Sequence, residues 1–81
     1  MNVTVKLFAR ARDLAGTSET VVLLDQQQTV NELLSRLVDD FPELGTIQNS
    51  LLVAINNEYV SSDTMIPADA EIACFPPVSG G

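Results

Sequence analysis

Histidine is absent from this 81-residue chain, and cysteine occurs once, as Cys74. One cysteine excludes an internal disulfide and, without histidine, leaves too few ligands for a zinc or iron–sulfur site. Eleven acids supply oxygen atoms, but they are scattered, and Asp39–Asp40 lacks the ligand spacing of a calcium loop, so no metal site is expected. The missing histidine also removes the commonest general base. With no nucleophile set beside a base, catalysis by the chain alone is not expected.

Cations are scarce as well. Lys6, Arg10, Arg12 and Arg36 face eleven acids, for a net charge of −7. A nucleic-acid backbone would be repelled, so no nucleic-acid partner is expected. The acidity either keeps the domain soluble or steers it toward a basic groove on another protein. Long apolar runs are lacking: Leu51–Ile55 is the longest and falls far short of a membrane span. Met1–Lys6 has neither the basic leader nor the apolar stretch of an export signal. A cytoplasmic domain without membrane partners is expected, and a lone cysteine is compatible with that compartment.

The length corresponds to one domain, and 46% hydrophobic residues suggest an apolar core that needs no covalent staple. Val3, Val5 and Leu7 alternate with polar residues, which predicts a first strand. Ala9–Ala15 is a short helical turn that Gly16 can end in a left-handed conformation. Glu19–Leu24 is rich in β-branched residues and returns as the second arm of a hairpin. Thr29 and Glu32 have the spacing of a capping box. Val30, Leu33, Leu34, Leu37 and Val38 then share one helical face, and Pro42 ends the helix near Asp40.

Glu43–Ser50 reads as irregular. Leu51–Ile55 is apolar on both faces, as in an interior strand. Asn56–Asn57 makes a turn into Glu58–Val60, a loop surrounds Pro67, and Glu71–Phe75 is the last strand. This order predicts an α+β fold, a mixed sheet crossed by one main helix and compatible with a β-grasp. Residues 1–75 form the domain in this reading, and 76–81 form an extended tail.

That tail is the most unusual feature. Pro76 and Pro77 stiffen its base, Val78 continues it, Ser79 is a small polar spacer, and Gly80 and Gly81 remove all side chains from its tip, so it can enter a narrow channel. Ser79 has no base beside it and is not read as a nucleophile. Phe75-Pro76-Pro77-Val78-Ser79-Gly80-Gly81 and Phe8-Ala9-Arg10-Ala11-Arg12-Asp13-Leu14-Ala15-Gly16 together resemble the small subunits of molybdopterin synthase, and the similarity covers the whole chain. The resemblance implies a ubiquitin-like β-grasp sulfur carrier. In that reading Gly81 is adenylated by a ubiquitin-activating-type enzyme that uses ATP, then converted to a thiocarboxylate by a sulfur donor protein. It is inserted into the large subunit of a heterotetrameric synthase to sulfurate a pterin precursor. The carrier itself binds no cofactor.

Other ubiquitin-like carriers, serving thiamine synthesis or tRNA thiolation, share the Gly-Gly end, as do protein modifiers that join their last glycine to lysines. A plain adaptor domain is a further alternative. Phe75 stands opposite Ile72 and Cys74, so with that pair in the core it is exposed beside the tail, where Tyr59 and Phe8 could extend a docking patch or simply pack. Arg12 matches the family segment and is the better of the two nearby arginines for meeting acids on a partner. Cys74 points inward and reads as a small buried hydrophobe rather than a sulfur acceptor.

Overall fold

The computed structural model describes residues 2–24 and 28–76. Its elements are β1 (Asn2–Leu7), α1 (Ala9–Ala15), β2 (Glu19–Leu23), α2 (Val30–Asp40), β3 (Leu52–Ile55), β4 (Glu58–Val60) and β5 (Glu71–Phe75). The five strands form one sheet in the order β2-β1-β5-β3-β4. β1 is antiparallel to β2 and parallel to β5, while β3 is antiparallel to both β5 and β4. The sheet is therefore mixed, with the first and last strands side by side at its centre.

Strand parity puts Val3, Val5, Leu7, Ile72 and Cys74 on one face, and all are buried. α2 covers that face. Val30, Leu33, Leu34 and Leu37 are buried, and Val38 is half-buried at the edge of the same stripe. The capping box closes as the spacing predicts: the Glu32 N–H donates to Thr29 Oγ1 at 3.2 Å, and the Thr29 N–H donates to Glu32 Oε1 at 3.0 Å. Such a cap contributes about 1 kcal/mol. The buried core is entirely aliphatic apart from Cys74.

Two expectations change. Glu43–Ser50 is ordered: Pro42–Thr46 and Gln48–Ser50 are short 3-10 turns. Leu44 anchors them in the core. The interior strand begins at Leu52 rather than Leu51, and Leu52 is exposed. The Asn56–Asn57 turn is present with φ of 49° and 73°, the left-handed region that asparagine tolerates. Asn56 also locks the sheet, since its Oδ1 accepts from the Glu71 N–H at 3.0 Å while its own N–H donates to the Glu71 carbonyl at 2.9 Å.

Candidate functional site

β5 delivers the chain to Pro76 from the middle of the sheet, and the side chains around that exit come from four separate elements. Phe75 projects from the face opposite α2. The Phe8 ring, from the residue just after β1, stacks on it with centroids 4.8 Å apart and planes inclined by 7°. Tyr59 of β4 meets the other flank of Phe75 edge-on at 5.9 Å. Both distances lie in the range where aromatic pairs contribute about 0.5–1.5 kcal/mol beyond their buried area.

The sheet pairing explains why these residues converge. The parallel pairing of β1 with β5 runs on past Leu7, because the Phe8 N–H donates to the Cys74 carbonyl at 3.2 Å. Leu52 is the cross-strand partner of Phe75, and Ala54 lies between Ala73 and Tyr59 in the next row. Two alanines there leave room for the rings. At Ala9 the chain turns into α1 with φ of 52°, a left-handed conformation that costs an alanine about 1–2 kcal/mol. This bend ends β1 at the point that sets the Phe8 ring parallel to Phe75.

Phe75, Phe8 and Tyr59 are thus brought together, with one correction. Phe75 is half-buried rather than exposed, because the other two rings lie against it, while Phe8 and Tyr59 are 40% and 68% exposed. Arg12 is not part of the cluster: its Nε lies 3.7 Å from Asp13 Oδ1 on the exposed side of α1. Pro76 is half-buried next to Phe75. Pro77, Val78, Ser79, Gly80 and Gly81 lie outside the described residues.

Leu52 and Ala9 are the contributions that sequence reasoning missed. In an unbroken apolar run the parity of Leu52 cannot be read, and nothing marks an alanine for positive φ. Cys74, directly beneath the platform, is fully buried, and burial pushes its thiol up to about 12. A thiol held protonated is a poor nucleophile. Among the described residues no group of three potential ligands could hold a metal ion, and no helix is long and apolar enough to cross a membrane.

The chain matches the ThiS family over residues 5–81. It is 33% identical, over its whole length and 84% of the relative's, to a molybdopterin synthase sulfur carrier subunit of Arabidopsis thaliana. Identity with the protein of the same description from Drosophila sechellia is 39%, over 100% of this chain and 92% of that one. Among solved structures, SAMP1 of Haloferax volcanii, a small archaeal modifier protein, superimposes with a TM-score of 0.87 at 31% identity, covering 100% of both chains. The fold is accordingly a ubiquitin-like β-grasp, and the chain belongs to the ThiS family and, within it, to the sulfur carrier subunits of molybdopterin synthase.

Proposed function

We propose that this chain carries sulfur for molybdopterin synthesis as a thiocarboxylate on Gly81, and that residues 76–81 are an arm serving a domain made of residues 1–75. The observation that carries this reading is the aromatic platform at Pro76, seen together with full-length similarity to sulfur carrier subunits. Inserting an arm into a partner costs conformational entropy, and an apolar anchor at its root offsets that cost. Phe75, Phe8 and Tyr59 supply the anchor, and Arg12 is a peripheral contact for an acid on the partner.

The chemistry follows from the carboxylate. As an anion with a poor leaving group it resists nucleophiles until an oxygen attacks the α-phosphate of ATP and displaces pyrophosphate. The resulting acyl-adenylate expels AMP when a persulfide sulfur attacks. Reduction of the acyl disulfide by a thiol then leaves the sulfur on Gly81. The adenylating enzyme provides the ATP site, a sulfur donor protein provides the persulfide, and the large synthase subunit receives the loaded arm in the cytoplasm. This chain contributes position and access rather than catalytic groups.

The test is to incubate the protein with ATP, a ubiquitin-activating-type enzyme and a persulfide donor, then fragment the product. The mass change from oxygen to sulfur is expected on Gly81, and deleting Gly81 abolishes both AMP attachment and sulfur transfer. Sulfur found on Cys74 would refute the mechanism. Similarity to SAMP1 favours a second reading, in which the same activated glycine is joined to lysines. Amide-linked adducts in cells, in place of free thiocarboxylate, would identify it.

A further inference from the structure

The net charge is unevenly distributed. All four cations lie at or before Arg36, where Asp13, Glu19, Asp25 and Glu32 balance them, so the whole excess of −7 falls beyond that residue. An acidic excess of this size favours a cationic partner. Glu58, Asp63 and Asp69 carry part of it in β4 and the loop leading to β5. Glu71 is already engaged, by Lys6 at 3.1 Å.

The same region contains a groove of about 470 Å³ lined by Ile55, Glu58, Val60, Thr64, Met65 and Pro67. Its loop wall is held in place: the Val30 and Asn31 N–H groups donate to the Thr64 and Ser62 carbonyls at 2.9 and 3.0 Å, and the Ile66 N–H donates to the Gln28 carbonyl at 2.9 Å. Met65, 48% exposed, puts a flexible thioether at the mouth, a side chain that adapts to varied apolar contacts. Alternation along β4 sends Tyr59 to the aromatic platform and turns Glu58 and Val60 toward the groove. Among the described residues no cation lies within ion-pair distance of Glu58.

We propose that this groove docks a basic segment of a protein partner. One aliphatic or methionine side chain enters between Val60, Met65 and Pro67, and a flanking lysine or arginine meets Glu58. Charge complementarity selects this occupant: Glu58 in the wall and the net charge of −7 disfavour an acidic segment, while the apolar walls favour a segment that brings an apolar side chain. The surface does not depend on the chemistry of Gly81, so it stands or falls separately from the carrier reading.

The experiment is a titration of the full-length 15N-labelled protein, at physiological ionic strength, with a blocked heptapeptide bearing a central leucine between pairs of lysines. Shifts are expected at Glu58, Val60, Thr64 and Met65. Replacing the leucine by glycine weakens binding about tenfold, the order expected from burying one such side chain. Glu58→Gln weakens it about threefold, as for an exposed ion pair, Met65→Ser also weakens it, and a glutamate-for-lysine peptide does not bind. Equal binding of the glycine peptide, shifts centred instead on Phe8, Tyr59 and Phe75, or unchanged affinity in both variants would each overturn the proposal.

Discussion

The two faces of the sheet are built from different side chains. The face under α2 is packed with valine, leucine and isoleucine, and no aromatic residue is among the buried core. Of the four aromatics in the chain, Phe8, Tyr59 and Phe75 meet on the opposite face, and only Phe41 packs at the margin of the core. Aliphatic side chains interdigitate well in a small interior, whereas aromatic rings offer large, rigid contact area at low entropic cost, which suits recognition. Stability and binding are therefore separable by mutation.

The sharpest test of that separation is Ile72→Ala on the inner face. It should destabilise the fold by about 2–5 kcal/mol, read from urea unfolding, and a much smaller loss would mean that the inner face is not the main source of stability. Phe75→Ala on the outer face loses two ring contacts and should cost about 1–3 kcal/mol in unfolding but more than about 3 kcal/mol in binding to the large synthase subunit, measured by calorimetry. If the unfolding loss were the larger of the two, the platform would be structural and the contrast would fail.

Cys74 lies on the inner face and gives a smaller, pH-dependent signal. Its folded pKa is raised from 9.0 to about 12 by desolvation, so above pH 9 the unfolded chain loses a proton that the native one keeps. Stability must fall as pH rises from 9 toward 12, by about 1.4 kcal/mol at pH 10 from this group. Comparing the slopes of wild type and Cys74→Ala isolates the effect, and identical slopes would show that the thiol ionises in the native state. Ala9→Gly is expected to have the smallest effect, stabilising by up to about 1 kcal/mol through relief of the left-handed backbone, with affinity for the large subunit unchanged. Destabilisation would mean that the bend after Phe8 is not strained.

Features with a local cause were legible beforehand. Thr29 and Glu32 announce α2, Pro42 ends it, alternation identifies β1, and Asn56–Asn57 marks the turn. The convergence of Phe8 and Phe75 was less legible because it depends on parallel pairing of the first and last strands, a contact made across nearly the whole sequence. Parity alone placed Phe75 on the correct face but could not show the two rings that half-bury it. The Pro42–Ser50 turns are held by Leu44 in the core rather than by propensity, so their local sequence looks irregular. The groove beside β4 is not legible in the sequence because its walls come from a strand, a hairpin and a loop, none of which has a motif.

An electrophile tethered to a protein is a hazard to that protein, and the placement of Cys74 bears on this. In the proposed cycle an acyl-adenylate forms on the same short C-terminal segment that follows the chain's one thiol. A reactive thiolate there would capture the acyl group as an internal thioester and end the cycle without delivering sulfur. Full burial, with the thiol titrating only near 12, removes that trap at neutral pH. The chain's one lysine, Lys6, is engaged by Glu71 at 3.1 Å. The β-grasp body is thus chemically quiet toward its own activated end, and the fate of the acyl group passes to whichever partner holds the arm.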